Sequence, residues 1–158
     1  MRYFLLDKVT ELKVGKSARG VKCVTLTDEV LHDHFPDHPI FPGALVVEAV
    51  AQLGGFLIEV SVNQEGEPVR RAVLVQIRDA KFSRPAEPGD RMDIRVRLGA
   101  SLATAAQIDG EVYVEDARIA RMSLTFMTRE VDSARVNEQR TSLYRLWTRG
   151  LSPPPRLP

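Results

Sequence analysis

The sequence predicts an α+β domain in which an antiparallel sheet wraps around one long, buried helix. Two observations carry this prediction. The segment Ala44–Val60 is apolar on nearly every side, as expected of a helix that the rest of the chain encloses. It is followed by segments in which apolar and polar residues alternate with a period of two, which is typical of half-buried antiparallel strands.

Two strands are predicted before the helix, at Tyr3–Val9 and Gly20–Thr27, the second from its alternating side chains. Three prolines follow between Asp33 and Gly43. Because proline prevents both helix continuation and sheet pairing, this stretch is expected to be an irregular, stiff loop. The helix is expected to begin directly after it.

Four strands are predicted after the helix. The first, Arg71–Ile77, is almost continuously apolar, which favours a central strand that is buried on both faces. The other three alternate with a period of two and cover Met92–Leu98, Ala106–Val114 and Ala120–Phe126. Together with the helix, they complete the predicted architecture.

The chain is expected to divide into a domain at residues 1–131 and a C-terminal extension at residues 132–158. In the extension, Asn137–Arg149 predicts a short amphipathic helix. The end of the chain, Ser152–Pro158, is rich in proline and is expected to be extended and mobile. No chemistry is assigned to the extension.

Composition indicates an ordinary globular protein. The 158 residues are 44% hydrophobic and 27% charged, with a net charge of +1, so nothing global favours nucleic acid or an acidic membrane as a partner. Cys23 is the only cysteine, which excludes an internal disulfide and suits a reducing compartment. We find neither a signal peptide nor an uninterrupted apolar run long enough for a membrane helix, and we expect a cytoplasmic protein.

The predicted helix carries an unusual carboxyl group. Glu48, Gln52, Gly55 and Glu59 fall within about 60° of one another on a helix, and the positions that flank Glu48 are apolar. A lone buried carboxylate costs several kcal/mol unless it is protonated or paired. Glu48 is therefore interpreted as an acid with a raised pKa, while the alternative is a solvent-facing residue on an amphipathic helix.

All three histidines of the chain lie between residues 32 and 38. The rigid loop can hold the ring of His34 in place at low entropic cost, and Gly43 stands where the free N–H groups of a helix start attract negative charge. A base, an oxyanion donor and a buried acid so close together suit β-elimination of water. The alternatives are a metal site formed by the histidines and neighbouring aspartates, which prolines between the ligands disfavour, and a His34 that only packs the loop.

The stretch HFPDHPIFPGALVVEAVAQLGG, His34–Gly55, closely resembles the signature of the β-hydroxyacyl-acyl carrier protein dehydratases of bacterial fatty-acid synthesis. That signature reads His-Phe-Pro-Gly-x-Pro-x-x-Pro-Gly, then a helix with Glu or Asp followed by Ala-x-x-Gln. The block AKFSRPAEPGD, Ala80–Asp90, resembles a later family segment, and YFLLDKV at residues 3–9 resembles the first strand. The likeness spans roughly residues 3 to 128, and two motif blocks in the expected order make it specific.

The resemblance implies a hot-dog fold, sheet-to-sheet dimers that are often assembled into hexamers, and an active site at the dimer interface. By this resemblance His34 is the catalytic base, and Glu48 of the other subunit is the acid that handles the departing hydroxyl. The N–H of Gly43 polarises the thioester carbonyl, and Gln52 positions Glu48 or its water. A glutamate at position 48, rather than an aspartate, resembles the general dehydratase branch.

The resemblance also implies a tunnel for the acyl chain beside the helix, lined by Phe35, Leu45 and Phe82. Two departures from the family pattern affect it. Asp37 replaces the usual glycine after His-Phe-Pro, and Val73–Arg78 replaces an aromatic-rich segment whose tyrosine gates the tunnel. The core chemistry is expected to survive both changes, whereas substrate length is left open.

The reaction implied is dehydration of a (3R)-3-hydroxyacyl thioester to the trans-2-enoyl thioester, without metal or redox cofactor. The implied partner is acyl carrier protein with its phosphopantetheine-linked substrate. Between Pro68 and Leu98 there are eight basic residues and four acids, which suits an acidic carrier, and Arg78, Lys81 and Arg84 are expected near the tunnel mouth. The alternatives are a hot-dog thioesterase and a non-catalytic module that binds acyl chains.

Overall fold

The computed structural model describes residues 3–102 and 104–158. Residues 1, 2 and 103 of the predicted domain lie outside the described residues. The helices and strands, in chain order, are β1 (Lys8–Lys13), β2 (Ser17–Cys23), a short 3₁₀ helix (Glu29–His32), α1 (Gly43–Val62), β3 (Arg70–Phe82), β4 (Arg91–Ser101), β5 (Ala105–Val114), β6 (Ala117–Glu130) and α2 (Ala134–Thr148).

One antiparallel sheet holds six strands in the order β1-β2-β4-β5-β6-β3, and α1 packs against it. Alternate residues of the strands point inward, as with Met92, Ile94 and Val96 of β4, which are buried. The helix approaches the sheet so closely at Gly110 that a Cβ there would overlap the side chain of Val50. The predicted α+β architecture, with a sheet wrapped over one long helix, is confirmed.

By length and composition α1 could pass for a membrane-spanning helix. Thirteen of its residues are buried, and Leu53, Phe56 and Leu57 have no exposed surface. The helix is therefore the core of the fold, and this packing accounts for its apolar sequence.

The six predicted strands are all present, with different ends. The first begins at Lys8 rather than Tyr3, because Tyr3 and Leu5 direct backbone groups to the side chain of Gln52 instead of to a neighbouring strand. The second ends at Cys23, where the chain turns and the N–H of Thr25 donates to the carboxylate of Asp28. The local alternation of residue types cannot show that the side chains of Gln52 and Asp28 bind these backbone groups in place of a neighbouring strand.

The prediction that Arg71–Ile77 is a central strand is wrong for the single chain. Among the described residues, the strand β3 lies at an edge of the sheet and pairs with β6 alone. Its apolar residues Val73, Val75 and Ile77 are about half exposed. Burial within one chain therefore does not explain why β3 has apolar residues on both faces.

The C-terminal extension packs into the same core. The helix α2 begins at Ala134, three residues before the predicted start, because the side chain of Ser133 caps it by accepting from the N–H of Val136. Tyr144 and Trp147 are buried edge-on against Phe56 of α1, with ring centroids 4.9 and 6.3 Å away.

The proline-rich end of the chain forms neither helix nor strand. It runs back to α2, where the hydroxyl of Thr141 donates to the carbonyl of Pro158 at 2.8 Å, and Leu157 packs against the core. Its predicted mobility stays a prediction.

A buried carboxylate joins α2 to the rest of the fold. Glu59 of α1 is 1% exposed and accepts hydrogen bonds from the guanidinium of Arg71 and the hydroxyl of Tyr144, each at 2.7 Å. It also accepts from the backbone N–H of Ala72 at 3.0 Å. Burial, together with the negative charge of Glu59, raises the pKa of Tyr144 well above its usual value.

Candidate active site

The loop that carries His34 is held by its own backbone. Phe35 and His38 exchange two backbone hydrogen bonds of 3.1 and 3.0 Å, and the N–H of Ile40 donates to the carbonyl of His34 at 2.8 Å. Asp37, at the tip, has a φ of 61°, in the left-handed region that favours glycine. The family's usual glycine at this position therefore has a conformational reason, and Asp37 adopts the same turn at some cost in strain.

The ring of His34 is oriented by a backbone carbonyl. Its Nδ1 lies 2.9 Å from the carbonyl oxygen of Ile40, and the ring stacks on Phe35 with centroids 4.4 Å apart. Because a carbonyl oxygen can only accept, Nδ1 must carry the hydrogen, which leaves the lone pair of the neutral ring on Nε2. His34 therefore presents Nε2 as a base in a fixed orientation.

His34 and Gly43 line one cavity of about 360 Å³, whose walls are mostly apolar. Gly43 is the first residue of α1, and its N–H has no hydrogen-bond acceptor within residues 3–102 and 104–158. The ring of Phe82 lies across it, so that a Cβ on Gly43 would come within 3.3 Å of the ring. A side chain at position 43 would therefore require the Phe82 ring to shift by a few tenths of an ångström.

Glu48 lies elsewhere on the helix. At about 100° per residue, five residues separate it from Gly43 by roughly 140° around the axis. It is half-buried, does not line the His34 cavity, and accepts a hydrogen bond of 3.0 Å from Nε2 of Gln52. One chain thus brings His34 together with Gly43, and Glu48 together with Gln52, but does not join the two pairs in one cavity.

Of the three residues predicted to line the acyl tunnel, only Phe82 lines this cavity. Phe35 is 52% exposed and stacks on the histidine from outside, while Leu45 is partly buried against the core. Sequence reasoning missed the wall that β6 contributes through Ile119 and Ala120. The inward alternation of that strand marked Ala120 as core-facing, but only the fold places it beside His34.

The basic residues of β3 and the following loop lie at different distances from the cavity. Arg84 lines it and pairs with Asp90 at 3.6 Å. Lys81 and Arg78 are exposed on β3, where Lys81 pairs in register with Arg121 of β6. Lys81 shares a shallow surface depression with Phe82, so the basic surface is continuous with the cavity wall.

The interpretation of the three histidines as a metal site has no structural support in the described part of the chain. Within residues 3–102 and 104–158, no three histidine, cysteine, aspartate or glutamate side chains converge as a possible ligand set. His32 is exposed at the end of the 3₁₀ helix rather than in a loop as predicted, and His38 is exposed in the loop.

Solved structures with the same fold include proteins of several activities. The smu.793 protein from Streptococcus mutans, bound to acetyl CoA, has a TM-score of 0.65 and 17% identity over 84% of this chain and 96% of its own. The dehydratase heterocomplex ApeI:P from Xenorhabdus doucetiae has the same score and identity over 87% of this chain and 90% of its own. The thioesterase PA1618 from Pseudomonas aeruginosa has a TM-score of 0.62 and 16% identity over 78% and 81%. These likenesses establish the hot-dog fold.

Sequence relatives are closer. The 3-hydroxyacyl-[acyl-carrier-protein] dehydratase FabZ of Sulfurimonas denitrificans is 37% identical over 128 residues, which are 79% of this chain and 86% of the relative. The FabZ of Campylobacter lari is 35% identical over 126 residues, with the same coverage. The profile of the FabA-like domain matches residues 1–123. The chain therefore belongs to the FabA-like family, alongside the FabZ dehydratases.

Proposed function

We propose that this protein is a 3-hydroxyacyl-[acyl-carrier-protein] dehydratase of fatty-acid biosynthesis, which converts a (3R)-3-hydroxyacyl thioester into the trans-2-enoyl thioester and water. One observation carries the proposal. An imidazole with its Nε2 lone pair free shares an apolar cavity with the unbonded N–H of Gly43. FabZ relatives that match most of the chain support the same reaction.

In the proposed mechanism, Nε2 of His34 takes the proton from the α-carbon of the thioester. The electron pair moves toward the thioester carbonyl, whose oxygen accepts a hydrogen bond from the N–H of Gly43 at the positive end of α1. As the pair returns to form the C2–C3 double bond, Glu48 protonates the hydroxyl on C3, which leaves as water. The C–H bond at C2 and the C–O bond at C3 break as the double bond and water form, with no net oxidation or reduction. The reaction therefore needs no redox cofactor, and both proton transfers are assigned to side chains rather than to a metal.

The proposed site is shared between two copies of the chain, with Glu48 supplied by the partner. Three features support a homodimer. Glu48 lies outside the cavity of its own chain, the outer edge of β3 has no strand partner in the described part of the chain, and that edge carries half-exposed apolar residues. Pairing of the β3 strands of two copies would bury these apolar residues. The N–H of Ala72 is already bound to Glu59, so strand addition would begin beyond residue 72. Association of dimers into a hexamer is the open alternative.

The acyl chain is proposed to extend from the His34 cavity along Phe82, with Phe35 and Leu45 contributing once the dimer is formed. Val73–Arg78 lies on β3, the strand proposed to form the dimer interface. In the family, a tyrosine in the corresponding segment gates the tunnel. This chain has valines in that segment, so the proposed tunnel is open at that point. The substrate specificity would then depend on tunnel length rather than on a gate.

The proposed partner is acyl carrier protein in the cytoplasm, with no role for nucleic acid or membrane. Arg84 at the cavity, together with Lys81 and Arg78 on β3, forms a basic path that suits an acidic carrier. Electrostatic steering of this kind raises association rates and weakens with salt.

The proposed function is tested by hydration of an enoyl thioester, followed by loss of its ultraviolet absorbance, with His34→Ala and Glu48→Gln proteins. Each variant alone should lose roughly 10²–10⁴-fold in rate, because a positioned proton-transfer group contributes about that much. Refolding the two variants together should restore up to about a quarter of wild-type activity, since mixed dimers contain one intact site. His38→Ala, in the same loop, is the matched control and should keep wild-type activity.

A shared-site dehydratase is excluded if His34→Ala retains most activity. Release of free thiol instead of an enoyl product would favour a thioesterase, and saturable acyl binding without turnover would favour a binding module. Activity lost in both variants but not restored on mixing would leave the reaction intact and refute the shared site.

The carrier surface is tested by reversing the charges of Arg78, Lys81 and Arg84 to glutamate. The KM for carrier-linked substrate should rise several-fold and lose its salt dependence, whereas the KM for the matching coenzyme A thioester should stay unchanged. Reversal of Arg145 and Arg149, at the end of α2, is the matched control. Equal effects of the two reversals would refute the proposed docking surface.

A further inference from the structure

The side-chain amide of Gln52 makes three hydrogen bonds. Its Oε1 accepts from the backbone N–H of Leu5 at 3.0 Å. Its Nε2 donates to the backbone carbonyl of Tyr3 at 2.9 Å and to Oε1 of Glu48 at 3.0 Å. The short segment before β1 therefore contacts the proposed acid through one intervening side chain.

These partners allow only one orientation of the amide. A backbone N–H can only donate and a backbone carbonyl can only accept. If the amide of Gln52 were flipped, its NH₂ group would face the N–H of Leu5 and its oxygen would face the carbonyl of Tyr3. The two backbone groups thus keep an N–H of Gln52 directed at Glu48, whichever protonation state Glu48 has.

The segment that supplies these two groups is itself anchored. The side chain of Leu5 is buried in the core, 7% exposed. Two residues later, the N–H of Asp7 donates to the carbonyl of Val21 at 2.8 Å, and its carboxylate accepts from the N–H of Cys23 at 2.6 Å. Tyr3–Leu5 is therefore fixed on β2 at one end and on Gln52 at the other.

We infer that Tyr3–Leu5 is a positioning element for proton delivery: by fixing the amide of Gln52, it occupies Oε1 of Glu48 and leaves Oε2 to carry the proton given to the departing hydroxyl. The inference rests on the proposed role of Glu48. Within residues 3–102 and 104–158, Oε2 has no hydrogen-bond partner, whereas Oε1 already accepts from Gln52. A proton on Oε1 would face the N–H of Gln52, so the free oxygen is the one available for transfer.

The inference is tested by replacing Leu5 with its hydroxy-acid analogue, (S)-2-hydroxy-4-methylpentanoic acid, which retains the side chain and exchanges one N–H for an ester oxygen. The kcat should fall about fivefold to tenfold, the usual effect of one lost hydrogen bond, with KM nearly unchanged. The same analogue at Leu6 is the matched control, because the N–H of Leu6 makes no hydrogen bond within the described residues. A kcat equal to that of the control would overturn the inference.

A double-mutant cycle separates positioning through Gln52 from a general loss of structure. In a Gln52→Met protein, which lacks the amide, the Leu5 ester should lower kcat no further. Additive losses would show that the N–H acts elsewhere and would overturn the inference.

The ¹⁵N–¹H signals of the Gln52 side-chain amide provide a readout without turnover, and they should shift on Leu5 replacement and on Glu48→Gln. If these shifts appear in a protein without dehydratase activity, the proposed function fails while the contact stands. If activity requires Glu48 but the shifts are absent, the inference alone fails.

Discussion

Two glutamates on the same face of α1 have opposite environments. Glu59, in the last turns, is 1% exposed and accepts from Arg71, Tyr144 and the N–H of Ala72. Glu48, three turns earlier, is half-buried, and within residues 3–102 and 104–158 it accepts from Gln52 alone. The same residue type on one helix is fully satisfied at one end and only partly satisfied at the other.

The difference separates a structural carboxylate from one that is available for chemistry. A carboxylate whose two oxygens both accept hydrogen bonds from protein donors has no free oxygen to offer a substrate. It can join elements, and Glu59 joins α1 to β3 and, through Tyr144, to α2. A carboxyl group with one free oxygen can exchange a proton with a substrate, as proposed for Glu48.

The sharpest test of this comparison is the same substitution at both positions. Glu48→Gln should reduce dehydration by roughly 10²–10⁴-fold, because a proton donor is lost. Its melting temperature should stay close to wild type, since only a partly exposed contact to Gln52 changes. Activity and thermal unfolding would be measured on the same preparations.

Glu59→Gln should have the opposite profile. Removing one partner of a buried ion pair leaves the charge of Arg71 uncompensated and costs about 3–5 kcal/mol of unfolding free energy. For a chain of this size, that loss lowers the melting temperature by roughly 10 °C. Activity per folded molecule at low temperature should remain near wild type. A folded Glu59→Gln protein as inactive as Glu48→Gln would refute the division of roles.

Local sequence patterns were sufficient for the elements of the fold. The apolar run after Pro42 predicted α1 to within two residues at its C-terminal end, and period-two alternation located β4, β5 and β6. The three prolines predicted the irregular loop that carries His34. These features are determined by residues that are close together in the chain, so a local sequence pattern is enough to predict them.

The partners of the helix could not be predicted in this way. Glu59 was visible only as one more polar residue in an apolar segment, because its hydroxyl donor, Tyr144, is 85 residues away. The hydrogen bonds between Gln52 and the backbone of Tyr3 and Leu5, which make the first strand begin later than predicted, were hidden for the same reason. For β3, apolar residues on both faces suggested a central strand, yet one chain leaves it at an edge. Contacts between distant segments, or between chains, leave no periodic signal in the sequence.

The smallest of these effects concerns the hydroxyl of Tyr144. Tyr144→Phe removes one hydrogen bond to a carboxylate and should cost about 1.5–3 kcal/mol of unfolding free energy at neutral pH. Because burial and the negative charge of Glu59 raise the pKa of Tyr144, the folded protein keeps this proton in a range where the unfolded chain releases it. The contribution of the hydroxyl to the unfolding free energy is therefore complete below a pH of about 10, the ordinary tyrosine value, and is lost as the pH rises above it.

This pH dependence is measured by urea unfolding at pH 8, 9.5 and 10.5. Wild type should lose stability more steeply than Tyr144→Phe, so that the difference between their unfolding free energies narrows. Parallel slopes for the two proteins would show that Tyr144 is not held protonated by Glu59 and its surroundings, and that the C-terminal end of α1 is less enclosed than its geometry indicates.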